Sequence, residues 1–286
     1  EEQMGSKRKV WLESPTQESY LFKNVRQDSI GSVYGDDWAE KLAAELAGLL
    51  GVPAAAVDLA HRDGNPGVIC RRLNDPGVVE LVHGNELLGG RESGYDMDLK
   101  REHPQYTVDL VYGCIRETAA PAGFPQVQSL TGFDVWAGYL VFDAWIANTD
   151  RHHENWGVLV HRRDGSRRLA PSFDHGSSLG FNESPSRMAT KALDARDLER
   201  WCSRGRSGHF AGRPNLVDVA AAALDLAGHD AWLHWMAQLR QLRREDWTTV
   251  IGRVPAARMS EDARTFVSSV LDVNRRRLLD VCDRAA

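Results

Sequence analysis

The stretch from residue 146 to 180 constrains this chain more than any other. It reads Ile-Ala-Asn-Thr-Asp-Arg-His-His-Glu-Asn-Trp-Gly-Val-Leu-Val and, further on, Ser-Phe-Asp-His-Gly. Asp150 is followed five positions later by Asn155. Residues 157–160 then predict a strand, Asp164-Gly165 a turn, and a second apolar step ends at Phe173-Asp174-His175-Gly176. Phosphoryl-transfer chemistry needs its groups in this order: one carboxylate to orient an attacking hydroxyl and take its proton, then an amide oxygen and a second carboxylate to hold a metal ion against phosphates. A short hairpin would carry both metal ligands to one side of a cleft. Asp and Asn abound in loops for turn reasons alone. The weight therefore rests on the pair together with the Asp-x-Gly that follows it.

Composition sets limits around that stretch. A chain of 286 residues allows two modest domains or one large one, and 42% apolar with 26% charged residues is ordinary for a globular protein. The net charge of −5 gives no overall basic field for nucleic acid. Lys7-Arg8-Lys9 and Arg275-Arg276-Arg277 read as solvated faces or phosphate contacts. No apolar run reaches transmembrane length and no signal peptide is visible, so neither membrane nor export is expected. Cys70, Cys114, Cys202 and Cys282 are scattered with no C-x-x-C, which suits free thiols in a reducing cytoplasm and gives no thiolate zinc site.

Taken in order, residues 10–12 and 20–23 predict two strands joined by the turn Ser14-Pro15-Thr16. Lys23 ends an apolar strand, so its charge must be solvated or paired. Residues 36–50 predict a helix capped by Asp36 or Asp37, with a stripe of Trp38, Leu42, Leu46, Leu49 and Leu50 and a stop at Gly51. Glu40 and Glu45 both lie on it. Glu40, nearer the helix start, is the better candidate to pair with a strand lysine. Residues 57–61 and 67–70 predict a hairpin, and Arg71-Arg72-Leu73-Asn74-Asp75-Pro76-Gly77 breaks the pattern as a hinge. Residues 84–103 read as loop with a short helix, and 106–119 as one helix. Phe133, Trp136, Ala137, Leu140, Val141 and Ala144 give the stripe of another, dense enough to be a buried central helix. Residues 182–191 read as a mobile, activation-type segment. Residues 216–226, 232–242 and 263–281 predict three further helices, with Trp232, Trp235 and Leu239 in the core. A zinc site from His152, His153, Glu154 and Asp174 is the weaker alternative, because adjacent histidines in an extended loop point apart and no H-E-x-x-H is present.

With these residues placed, the chain resembles the HipA-like serine/threonine kinases, bacterial toxin-type kinases. The resemblance runs from Gly5-Ser6-Lys7 through Tyr20-Leu21-Phe22-Lys23, Trp38-Ala39-Glu40-Lys41-Leu42 and Gly67-Val68-Ile69 to the central stretch. Its most specific part is the family loop N-x-D-x-H-x-x-N, met at Asn148, Asp150, His152 and Asn155. Glu154 stands where that loop often has Lys. Longer members carry an additional N-terminal subdomain, and this chain begins almost at the Gly-containing loop.

The resemblance implies an α+β, bilobal protein-kinase-like fold: a small β-rich N-lobe with one main helix, residues 1–75, and a larger, mainly helical C-lobe, residues 76–286. It implies ATP and Mg2+ as cofactors, Asp150 as catalytic base with His152 beside it, and Asn155 and Asp174 as metal ligands. Gly5, Ser6, Lys7, Lys23 and Glu40 would serve the phosphates, and the backbone around Arg71 and Leu73 the adenine. Serine in the Gly-containing loop of such kinases can be autophosphorylated, which carries over to Ser6, with Ser29, Ser32 and residues 184–190 as further sites. The expected function is transfer of the ATP γ-phosphate to a protein serine or threonine, as a toxin with an antitoxin partner. The alternatives are a small-molecule or peptide-tailoring phosphotransferase on the same fold and a catalytically silent binding module.

Overall fold

Alternating apolar strands build the first layer. The computed structural model describes residues 9–27 and 33–285, with side chains to residue 281. Gly5, Ser6 and Lys7 lie outside the described residues, as do Ser29 and Ser32. Strands β1 (Lys9–Glu13), β2 (Ser19–Asn24), β3 (Val57–Arg62) and β4 (Asn65–Arg71) form an antiparallel sheet in the order β1-β2-β4-β3. Lys23 lies opposite Val68, and Asn24 opposite Gly67. A Cβ at Gly67 would sit 2.3 Å from the Lys23 carbonyl oxygen. Glycine there lets β4 close on the end of β2 that carries Lys23.

Helix α1 (Asp36–Leu50) packs on this sheet through Trp38, Leu42, Leu46 and Leu50, all buried. Neither aspartate caps it as expected. Gly35 is the N-cap and makes no side-chain cap bond. The aspartates are spent on tertiary ties instead: Asp36 Oδ1 accepts from the Arg26 amide at 3.2 Å, and Asp37 pairs with Arg258 at 2.5 Å. Gly51 ends the helix in the left-handed region, φ 75°, as a glycine C-cap does.

A second sheet has the order β5-β6-β7, from β5 (Val79–His83), β6 (Gly157–His161) and β7 (Arg167–Leu169). Strands β6 and β7 are the expected central hairpin. Strand β5 is an addition to it, pairing Leu81 with Leu159. Helix α2 (Gly84–Arg91) follows directly, and α3 (Val108–Ile115) is shorter than the sequence suggests.

Helix α4 (Gly132–Trp145) is the centre of the larger, helical part. Every residue but Asp134 is buried, so it is apolar all round rather than striped. A reciprocal box starts it: Thr131 Oγ1 accepts from the Asp134 amide at 3.2 Å and the Thr131 amide donates to Asp134 Oδ2 at 2.8 Å. Around it lie α5 (Pro185–Leu193), α6 (Ala195–Ser203), α7 (Leu216–Ala227), α8 (His229–Gln241), α9 (Arg244–Gly252) and α10 (Glu261–Ala285). Helix α5 occupies the segment read as activation-type. Ser184 accepts from the Arg187 amide and Pro185 fills the first helical position, so the polar Ser-Pro-Ser run is helix-start chemistry. Trp235 and Leu239 are fully buried and Trp232 is only half-buried. No helix among the described residues is long and apolar enough to cross a membrane.

Candidate active site

The loop that leaves α4 is held by a buried ion pair. Arg151 donates from Nε to Asp143 Oδ2 at 2.7 Å and from Nη2 to Asp143 Oδ1 at 2.8 Å, and both side chains are 2% exposed. Asp143 lies in the last turn of α4, so the loop is bolted to the most buried helix. Asn148 Nδ2 adds a bond to Asp143 Oδ1 at 2.7 Å, and its own Oδ1 accepts from the Asp150 amide at 3.1 Å. Arg151 Nη2 also donates to Ser172 Oγ at 2.9 Å, and that hydroxyl is 2.7 Å from His175 Nε2. The Ser172 hydroxyl thus joins Arg151 to His175. Burial holds His175 well below the usual histidine range, so the ring is neutral where it meets the Ser172 hydroxyl. One chain of polar contacts therefore fixes the Asp150 loop against the segment bearing Asp174.

These segments face the first sheet across a cleft of about 620 Å3. Lys23, Glu40, Arg71, Leu73, Asp150, His152, Asn155 and Asp174 all line it. Lys23 Nζ is 2.7 Å from Glu40 Oε1 and 3.0 Å from Asp174 Oδ1. Burial alone would lower the Lys23 pKa, but the Asp174 and Glu40 carboxylates outweigh it and hold the ammonium well above the usual range. Glu45, the other candidate on α1, pairs with Lys41 one turn back at 2.7 Å. Asp174 sits at φ 60°, a conformation that Asp tolerates better than most residues.

Asn155 spends its amide N–H on the Asp150 carbonyl at 2.7 Å, which leaves Oδ1 as its acceptor. Asn155 and Asp174 thus bring an amide oxygen and a carboxylate to one cleft. Hard oxygen donors in small number, completed by phosphates and water, are what Mg2+ takes. Among the described residues no group of three or more His, Cys, Asp or Glu side chains could hold a metal by itself. His153 turns away from the cleft, with Nδ1 2.7 Å from the Tyr95 hydroxyl.

Asp150 carries partners that the spacing does not reveal. His209 Nε2 is 2.9 Å from Oδ1, and Ser177 Oγ donates to Oδ2 at 3.0 Å. Burial would raise the Asp150 pKa, but the bonds from His209 and Ser177 help pull it below the ordinary carboxylate value. His152 Nδ1 accepts from the Glu154 amide at 3.2 Å, and burial pushes its pKa down to about 4, so it is neutral near pH 7. That suits a ring holding the loop more than one moving a proton. Glu154 is paired with Lys100 at 2.5 Å. Nothing in Ser207-Gly208-His209-Phe210 marks His209 in the sequence, because its role depends on where the loop before α7 is folded back. Arg151 and Ser177 lie within the 146–180 stretch, but only the fold gives them partners.

A family model, the HipA-like C-terminal domain, matches residues 3–241. The chain belongs to that family. Among solved structures, this HipA-like chain is similar to the Helicobacter pylori proinflammatory kinase CtkA, with 20% identity and a TM-score of 0.74, covering 97% of this chain and 94% of that one. It is also similar to HipA of the Shewanella oneidensis MR-1 toxin–antitoxin system, determined with HipB and operator DNA. There the identity is 14% and the TM-score 0.63, covering 99% of this chain and 67% of that one. A search of curated proteins finds no match. At these identities the likeness is one of fold, and the fold is the bilobal, protein-kinase-like α+β architecture expected from the sequence.

Proposed function

We propose that this HipA-like chain is an ATP- and Mg2+-dependent serine/threonine protein kinase. The observation that carries the reading is the meeting of Lys23, Glu40, Asp150, Asn155 and Asp174, drawn from four separate segments, in one cleft. In this reading the phosphates enter beside the Lys23 ammonium, which Glu40 holds from behind. Asn155 and Asp174 would hold Mg2+, and the bound ion would neutralise charge on the phosphates. Asp150 orients the acceptor hydroxyl and takes its proton. Leu21, Ala55, Leu81 and Phe173 give apolar walls for a planar base next to the backbone of Arg71 to Leu73.

The lobes divide at residues 1–75 and 76–286 in this proposal, with the hinge at Arg71 to Gly77. Lys100, Arg101, His152, Glu154 and His209 line the cleft together with Asp150, and Glu154 is paired with Lys100. That wall is not the acid-lined pocket a small cationic acceptor would favour, which supports a protein acceptor. An antitoxin partner, a cytoplasmic location and autophosphorylation at Ser6 belong to the same proposal. The first draws support from the HipB bound to the Shewanella HipA.

The test is incubation with radiolabelled ATP and Mg2+, alone and with cell lysate, beside Asp150→Asn. Label on the chain or on a lysate protein, absent with Asp150→Asn, is the expected result. Equal labelling by both proteins, or none by either, contradicts the reading.

A further inference from the structure

The loop before α7 reaches the cleft at one residue only. The Glu102 amide donates to the Gly208 carbonyl at 3.0 Å and the His103 amide to the His209 carbonyl at 3.1 Å, which zips residues 207–210 to residues 100–103. Phe210 stacks on Tyr106 with ring centroids 4.2 Å apart, and the Ala211 amide donates to the Tyr106 carbonyl. His209 is thereby held from both sides, is 5% exposed, and has few other places for its ring to go.

Its two nitrogens are both committed. Nδ1 is 2.6 Å from the Lys100 carbonyl oxygen, and Nε2 is 2.9 Å from Asp150 Oδ1. A carbonyl oxygen only accepts, and an ionised carboxylate also only accepts. Both ring nitrogens face acceptor oxygens, so the ring is set against the carboxylate from a fixed backbone anchor. The other Asp150 oxygen, Oδ2, takes a hydroxyl hydrogen from Ser177 at 3.0 Å, so an O–H donor already approaches the carboxylate on that side.

We propose that His209 is a positioning residue for the acceptor-side carboxylate. It pins Oδ1 and leaves Oδ2 turned to receive the hydroxyl that attacks. The inference rests on the kinase reading for its consequence and on the His209–Asp150 contact for its geometry. Hydrogen bonds to charged groups are worth more than neutral ones, and a small misplacement of a reacting group is costly in rate. The loss of His209 should therefore fall on turnover and spare nucleotide binding, because the ring touches Asp150 and not the Lys23 side of the cleft.

The experiment compares wild type, His209→Ala, His209→Gln, Asp150→Asn and the Asp150→Asn/His209→Ala double variant. Turnover of Mg-ATP is measured by ADP release, and binding by titration with a non-hydrolysable analogue. His209→Ala should lose roughly 10- to 100-fold in turnover, with analogue affinity within about twofold of wild type. His209→Gln, whose amide can still donate to Oδ1, should recover most of the loss. Adding His209→Ala to Asp150→Asn should cost nothing further, since residues acting as one unit are not additive. Wild-type turnover by His209→Ala, a parallel fall in analogue affinity, or full additivity would each overturn the proposal. Nitrogen-15 NMR of histidine-labelled wild type is independent of any turnover. It should show the His209 Nε2 hydrogen bonded to a carboxylate, and a ring whose Nε2 makes no such bond would overturn the geometric claim even if the protein is an active kinase. An inactive wild type with that hydrogen bond present would instead strike the kinase reading.

Discussion

Lys23 is the residue on which the two halves of the cleft depend. Its ammonium is shared between Glu40, which is 1% exposed, and Asp174. Removing one partner of a buried pair leaves the other charge without compensation and costs about 3–5 kcal/mol. Lys23→Met should therefore lower stability as well as turnover, and chemical denaturation beside an ADP-release assay will show the two effects apart. In Lys23→Met/Glu40→Leu much of the stability should return while turnover stays down by orders of magnitude. Stability that stays low in the double variant would mean that Glu40 is not the group left stranded. The sequence marks Lys23, Asp150, Asn155 and Asp174 because short spacings and strand ends carry their signal. The choice between Glu40 and Glu45 depends on helical register: Glu40 faces the sheet, while Glu45 is taken up by Lys41. His209 lies 59 residues beyond Asp150, and no local pattern encodes such a contact.

At the scale of elements, α4 decides how the loop bearing Asp150 is presented. Its apolar density is plain in the sequence, and so is its continuity with that loop. Its contact with α8 is not. A Cβ at Gly138 would lie 2.2 Å from the Trp235 ring, whose Nε1 donates to the Asp134 carbonyl at 2.8 Å. Gly138→Val should push α8 off α4 and destabilise by about 1–3 kcal/mol, the usual cost of overpacking. Thermal unfolding should show a midpoint lower by several degrees, and an unchanged midpoint would mean that α8 yields freely. Strand β5 escapes the sequence reading because it is short, half-buried and completed only by β6, which follows some 75 residues later. Helix α5 escapes it because Ser and Pro serve loops and helix starts alike. Asp36 and Asp37 mislead in the opposite sense, since residues suited to capping are used to hold Arg26 and Arg258.

For the whole molecule, the kinase-like fold brings two carboxylates, those of Asp150 and Asp174, to a single cleft. In the proposed kinase reading the two do different work. Asp150 would act on the acceptor hydroxyl and matter mainly in the transition state, whereas Asp174 would hold Mg2+ on the phosphates and matter already in the ground state. Titration calorimetry with a non-hydrolysable ATP analogue, with and without Mg2+, separates the two most directly. Asp150→Asn should be nearly inactive, with only residual turnover, yet bind the Mg2+ complex about as tightly as wild type. Asp174→Ala should lose turnover together with the Mg2+-dependent part of the affinity, and Asn155→Ala should resemble it more mildly. Loss of Mg2+-dependent binding in Asp150→Asn with its retention in Asp174→Ala would contradict the account.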